Sequence, residues 1–404
     1  MLFIANPESN SIFVILLDYL CAMIKRIAEK RLKTLAASFR SVAVVGPRQS
    51  GKTTLCRMCF PEKPYVSLEN PDERAFASED PRGFLENYKD GAILDEVHKV
   101  PELFSYLQQI LDETKKKGLF ILTGSNHFLM QDSISQTLAG RIAYLNLLPL
   151  SLEELQIHNG LKDSAGYYMY KGFYPELYKS KIATGDWMQN YIRTFVERDV
   201  RQIKNINNLA LFSRFLKLCA TRVGQVLNLS SLANDSGVDQ KTISSWISIL
   251  ESSFVIYLLK PFSNNLGKRL IKGPKLYFYD TGLASHLLDI ENYKQIETHP
   301  ALGGLFENLI ISEYLKQNGN YGKPDNLFYW RDRTGHEIDL IQHTNSVLRI
   351  IEIKASKTYT SEFSKHLSYF EKLYKHKLEK SVIYRGKSAN STINGVHLHS
   401  WNKL

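Results

Sequence analysis

Between positions 41 and 149, short apolar runs alternate with stretches whose apolar residues recur at helical spacing. The runs at 42–45, 65–68, 91–96, 119–123 and 142–147 have the continuity of strands buried on both faces, and the segments between them supply covering helices. That alternation predicts an α/β fold with a doubly wound parallel sheet over 41–150. Just upstream, Ile24, Ile27, Ala28, Leu32, Leu35 and Phe39 fall on one helical face. The run 11–23 is apolar but short for a membrane span and is interrupted by Asp18. It also lacks the flanks of a signal peptide, so 1–22 is expected to be a poorly ordered or docked extension within an N-terminal region 1–40.

Beyond Pro149 the pattern changes three times. A helical linker is expected over 151–205, with turns at Gly172-Phe173-Tyr174-Pro175-Glu176. It ends in a helix, 187–204, that carries Met188, Ile192, Phe195 and Val196 on one face. Glu197, Arg198, Asp199 and Arg201 of that helix read as an ion-pair face. Over 206–290, two helices flank Gly237, with Asp239 as cap and Gln240, Lys241, Ser244 and Ser245 outward. Two strands follow around a loop, the order of a winged helix, with Lys268, Arg269, Lys272 and Lys275 suited to phosphate. The region 291–404 reads helix (302–316), three strands (326–330, 337–341, 347–354), helix, strand pair (381–384, 396–398). Phe363, Leu367, Phe370, Tyr374 and Leu378 share one face of its second helix. This is the core order of a restriction-endonuclease-like α/β domain.

Composition adds limits rather than identity. A chain of 404 residues implies two or three domains, and 44% hydrophobic with 23% charged residues is ordinary for globular proteins. The formal charge of +10 permits a DNA partner. Four cysteines (Cys21, Cys56, Cys59 and Cys219) are too scattered for a disulfide framework, which points to a reducing, cytoplasmic setting. Cys56 and Cys59 fall on one helix face and read as buried thiols, and His397 and His399 lack a third metal ligand.

The chemistry concentrates in two places. Gly46-Pro47-Arg48-Gln49-Ser50-Gly51-Lys52-Thr53 follows the first strand and opens a helix, the context a phosphate-binding loop requires. Its backbone amides, with Thr54 beyond, would cradle phosphates, Lys52 would reach the β- and γ-phosphates, and the Thr53 hydroxyl would ligand Mg²⁺. The third strand ends in Asp95, a second Mg²⁺ candidate, and Glu96, a candidate base for the attacking water. Asn126, after the fourth strand, is a candidate γ-phosphate sensor beside Ser125, a candidate helix cap. Arg141 is a candidate arginine finger, in cis or from a second subunit of a homo-oligomer. No guanine-recognition box is present, which favours ATP over GTP. In the last region, Asp339 lies on one strand, and Glu352 and Lys354 lie two apart on the next. Asp339 and Glu352 would hold Mg²⁺, Lys354 would activate water, and Glu307 would complete the carboxylate set from its helix.

The runs GPRQSGKTTL, ILDEV, LTGS, LAGR, GFYPE, YIRTFVERDVR, PKLYFYDTGL and GHEIDL…IEIKAS resemble a family of prokaryotic AAA-like P-loop ATPases. In that family a winged helix and a C-terminal domain of unknown function, similar to PD-(D/E)xK nucleases, follow the P-loop domain. The resemblance, over 23–404, implies an ATP- and Mg²⁺-dependent ATPase that couples its nucleotide state to a winged helix and a nuclease-like domain acting on DNA. The alternative is a nucleotide-regulated switch whose C-terminal domain binds a partner protein or nucleic acid without cutting. Neither reading involves a membrane.

Overall fold

The computed structural model describes residues 24–125, 137–195, 208–262, 271, 273–344, 347–374, 376–386 and 391–404. Its first sheet holds β1 (Ser41–Val45), β2 (Tyr65–Ser67), β3 (Ala92–Asp95), β4 (Phe120–Gly124) and β5 (Ile142–Asn146) in the order β2-β3-β4-β1-β5, all parallel. Alternation along each strand divides its side chains between two cores. Ala43, Val45, Leu94 and Leu122 face the side covered by Leu103–Glu113. Val42, Val44, Ile93, Ile121 and Leu145 face Ala28–Ser38 and Lys52–Cys59. Burial on both faces is the physical reason these strands read as unbroken apolar runs. Cys56 and Cys59 are buried in the second core, and burial raises both thiols, Cys59 to about 11.

The expected linker is a packed helical layer. Leu152–Asn159, Ala165–Lys171, Glu176–Lys179 and Thr184–Thr194 bury Tyr168, Phe173, Trp187, Met188 and Tyr191, while Ile192 is only partly buried. The turn at Gly172 is anchored by Asp280, whose carboxylate accepts the Phe173 amide at 2.7 Å. Residues 196–207, including Val196, Glu197, Arg198, Asp199 and Arg201, lie outside the described residues.

Three helices follow, Leu209–Ala220, Leu229–Ser236 and Gln240–Ser252, the last two joined by a turn at left-handed Gly237. Asp239 caps the third helix by accepting the Thr242 amide at 2.9 Å. Gln240, Lys241 and Ser244 are exposed, and Ser245 is half-buried. Strands β6 (Ile256–Leu259) and β7 (Lys275–Phe278) pair antiparallel. Two features depart from a hairpin free to grip DNA. The chain around β6 is bonded to the C-terminal sheet: Tyr329 donates to the Lys260 carbonyl at 3.1 Å, Phe262 to Tyr329, and Ile271 to Arg331. Lys275, expected at a phosphate, is instead buried and paired with Glu307 and Glu337; burial acts to lower its ammonium, but the acidic groups around it outweigh that and keep it charged. Lys268, Arg269 and Lys272 are outside the described residues.

The C-terminal region begins with the helix Leu302–Tyr321. A six-stranded sheet follows in the order β12-β13-β11-β10-β9-β8. β8 (Leu327–Arg331), β9 (Glu337–His343) and β10 (Leu348–Lys354) are antiparallel neighbours, and β11 (Leu378–Tyr384) runs parallel to β10. β13 (Val396–Ser400) is parallel to β11, and the short β12 (Ser391–Ile393) was not foreseen. The second helix is only Lys365–Leu373. Leu378 starts β11 rather than closing a helical face, because all seven residues of β11 pair with β10. No helix among the described residues is long and apolar enough to cross a membrane.

Candidate nucleotide site and acidic centre

The strand ends at Val45, Asp95 and Gly124 lie at one edge of the first sheet, and the loop 46–53 runs above them. Gly46 has φ of +154°, and a Cβ there would stand 2.2 Å from the Leu147 carbonyl. Gly51, with φ of +92°, turns the chain into the helix that starts at Lys52. Lys52 is buried and donates to the carbonyls of Gly46 and Pro47, each at 2.9 Å. Burial lowers its ammonium below the ordinary lysine value, against the opposing charges of Glu96 and Asp95.

Thr53 and Asp95 are brought together: the Thr53 hydroxyl lies 3.0 and 3.2 Å from the two Asp95 oxygens. The Tyr65 hydroxyl donates to Asp95 at 2.8 Å, and Thr123 donates to it from β4. A hydroxyl and a carboxylate side by side at the helix start form the donor set expected for Mg²⁺ bound with a triphosphate. Glu96 has a left-handed backbone, φ +55°, that turns its side chain toward Ser125. Ser125 donates to its Oε2 through both amide (3.1 Å) and hydroxyl (3.2 Å), so this serine holds the candidate base; the helix it was expected to cap lies outside the described residues. His98 Nδ1 stands 3.2 Å from the same oxygen. Burial acts to raise the Glu96 carboxyl, but Lys52, His98 and the Ser125 amide outweigh it and hold it below the ordinary value. Asn126 is outside the described residues.

Arg141 is not with this group. Its carbonyl accepts the Ser41 amide at the amino end of the sheet, and its guanidinium is held by Asp112 at 3.0 Å. The five residues of β5 separate it from the loop edge, about 16 Å at ~3.3 Å per residue. Within its own chain Arg141 is therefore no finger for this site.

A cavity of about 1030 Å³ opens over the loop. Arg48, Gln49, Gly51, Lys52, Thr53, Thr54 and Glu96 form one wall. The other wall (Pro175, Glu176, Lys179, Trp187, Tyr191, Thr194 and Phe195) belongs to the layer read from sequence as a linker. Trp187 stacks on Tyr191 at 5.2 Å between ring centres, and the Tyr191 hydroxyl meets that of Tyr174 at 2.9 Å. Arg26 braces the loop from behind, donating to the carbonyls of Ser50 and Leu148 at 2.7 Å and pairing with buried Glu154 at 2.9 Å. The 187/191/195 spacing was a signal for the aromatic wall. Arg26 gave none, since its partners lie more than 100 positions away or inside the loop.

The second constellation lies some 200 positions further on. Glu307, Glu337 and Asp339 each offer an oxygen, all within 4.8 Å of one another. The Ile353 amide donates to Asp339 at 2.7 Å, and Lys354 reaches Asp339 at 3.2 Å and also pairs with Glu352. Burial and the neighbouring Asp339 charge push the Glu352 carboxyl well above its ordinary value. The four sequence candidates, Glu307, Asp339, Glu352 and Lys354, thus meet. Glu337 and Tyr277 join them without having been read from sequence, and Lys275 joins them although it was read as a phosphate contact. Glu337 was legible two residues before Asp339 on the same strand face, whereas the other two come from β7.

The AAA domain family matches residues 38–156. Two families described as Domain of unknown function, DUF8612 and DUF4143, match 162–294 and 302–404. Uncharacterized proteins of Mycobacterium tuberculosis and Mycobacterium bovis are each 30% identical over 342 residues, covering 84% of this chain and 76% of theirs. Among solved structures, a Walker-type ATPase of Pyrococcus abyssi aligns with a TM-score of 0.44 at 14% identity, covering 66% of this chain and 96% of that one.

Proposed function

This chain belongs to the same family as its mycobacterial relatives and carries an AAA domain over 38–156, and we propose that it is a Mg²⁺-dependent ATPase whose nucleotide state is passed to the central helices and the C-terminal acidic centre. The observation that carries this reading is the meeting of Lys52, Thr53 and Glu96 in one cavity at the strand ends, with Asp95 bonded to Thr53 beneath it. The loop N–H groups between Gly46 and Thr54, Pro47 having none, and the Lys52 ammonium bind the phosphates of ATP, since a helix start concentrates unpaired N–H groups and positive potential. Thr53 and Asp95 hold Mg²⁺, which supplies charge neutralisation at the phosphates. Glu96, ionised and aimed by Ser125, accepts the proton of the attacking water. Asn126 and Arg141 keep only subordinate roles here, the first as γ-phosphate sensor and the second as a finger for a neighbouring subunit.

DNA is the proposed partner, through the exposed face of Gln240, Lys241 and Ser244 in a winged-helix arrangement. The Asp339, Glu352 and Lys354 set, with Glu307, has the composition of a phosphodiester-cleaving Mg²⁺ centre. One observation favours a second reading, a switch that binds without cutting: the hairpin that would be the wing is bonded to β8 and has its lysine inside the acidic centre. ATP hydrolysis with Mg²⁺, with and without duplex, branched and single-stranded DNA, tests the proposal. Lys52→Ala should abolish turnover, and Glu96→Gln should lower kcat by about 10²-fold or more while ATP still binds. Undiminished hydrolysis in either variant would overturn the assignment. Unaltered turnover with every DNA would remove the nucleic-acid partner.

A further inference from the structure

Lys275 is the first residue of β7 and comes from the central region, yet its side chain ends in the C-terminal acidic centre and is only 3% exposed. Its Nζ donates to Glu307 at 2.8 Å and pairs with Glu337. Tyr277, on the same strand face, donates to the same Glu307 oxygen. The fit is close. A Cβ on Gly224, next to β7, would lie 3.3 Å from Glu307, and one on Gly304 would lie 2.5 Å from the Val223 carbonyl.

Carboxyl groups outnumber cations in this centre. Around the four carboxyl groups of Glu307, Glu337, Asp339 and Glu352 stand three cations, Lys275, Lys354 and Arg331, the last pairing with Glu337 at 3.4 Å. One oxygen of Glu352, a residue 1% exposed, has no hydrogen-bond partner. A buried carboxyl oxygen without a partner is costly, and a further cation would satisfy it. The cluster therefore has the donors for a divalent ion, but two of its three converging carboxylates are taken by a lysine that the C-terminal region does not itself supply.

We infer that Lys275 is the resident cation of this centre and competes with a divalent metal ion for Glu307 and Glu337, so that metal binds fully only when the β7 hairpin withdraws. This rests on the reading of the centre as a metal site and adds what governs its loading. A carboxylate oxygen at ~2.0–2.6 Å from a divalent ion cannot also hold an ammonium at hydrogen-bond distance without direct repulsion between the two cations. The hairpin shares one continuous core both with the helices that wall the nucleotide cavity and with Leu305, Phe306, Leu340 and Ile353 beside the acidic centre, so a shift of β7 within that core, enough to break the Lys275 bonds, is the motion required.

Mn²⁺ binding to the full chain without nucleotide, followed by electron paramagnetic resonance, tests the inference. Lys275→Met, of similar length and without charge, should bind Mn²⁺ at least tenfold more tightly than wild type, and adding Asp339→Asn should abolish the gain. Equal affinity in wild type and a folded Lys275→Met would overturn the competition while leaving the metal site standing. Binding insensitive to Asp339 in every variant would overturn the metal site as well. A second measurement needs no variant. Mg²⁺ should speed hydrogen exchange at the Gly224 and Leu276 amides, which tie the hairpin down through Gly224–Leu276 and Leu276–Gln225 bonds. Unchanged or slower exchange at saturating Mg²⁺ would overturn the inference.

Discussion

At the scale of single residues, both centres are built from carboxylates whose surroundings set them apart. Asp95 receives the hydroxyls of Thr53, Tyr65 and Thr123, while one residue on Glu96 is turned by its left-handed backbone toward Ser125 and His98. Glu96 is held below the ordinary 4.5 by Lys52, His98 and Ser125 acting against burial. His98 is lowered from 6.5, first by burial. A depressed carboxyl stays ionised as pH falls toward 4.5, and a depressed imidazole stays neutral as pH falls through 6.5. Hydrolysis by this site should therefore be nearly flat between pH 8 and 6. A kcat–pH profile checks this, and an acid limb centred near 6.5 that disappears in His98→Asn would contradict it. The Gly-Lys-Thr and Asp-Glu pairs were legible because their chemistry is local. Tyr65, Arg26 and Lys275 were not, since each acts on groups that only folding brings near.

At the scale of elements, the helix Thr184–Thr194 changes most between sequence and structure. Its apolar spacing announced a helix, and the inward face is indeed apolar. That this face continues into the wall of the nucleotide cavity follows from the turn at Gly172, anchored on distant Asp280. Trp187 is one of four tryptophans, lies in that wall and stacks on Tyr191. ATP should change the intrinsic fluorescence of the protein, and Trp187→Phe should remove most of the change while Trp246→Phe leaves it. A signal of full size in Trp187→Phe would place the nucleotide away from this wall. The shortened helix Lys365–Leu373 teaches the converse: a helical pattern ending at Leu378 yielded to a complete ladder with β10.

At the scale of the whole molecule, the central and C-terminal regions share one core. Phe212, Leu250, Tyr277 and Leu283 belong to the same cluster of buried side chains as Leu305, Ile310, Tyr329, Ile351 and Trp401. The Leu302–Tyr321 helix also reaches the middle layer: its Glu313 accepts the Leu152 amide at 2.7 Å, and Lys316 lies 3.4 Å from the Phe173 ring centre. Regions joined by this much apolar burial should unfold together. In guanidinium, the signals of Trp246 and Trp401, both in that shared core, isolated in variants that keep one tryptophan each, should show coincident transitions. Separate midpoints would mean that the two regions are stable independently.

By itself the sequence determined the five-stranded α/β unit, the phosphate loop with its acidic partners, and the pairing of Asp339 with Glu352 and Lys354. Each depends on local periodicity or on residues within a few positions of a strand end, where backbone geometry leaves little choice. Tertiary structure alone decided that the supposed linker walls the nucleotide cavity, that Arg141 stands at the far end of its sheet, and that the hairpin is docked on β8 with Lys275 among the acids. Those outcomes depend on burying charge and apolar surface between segments far apart in the chain, and no pattern along one segment records what another will bury against it.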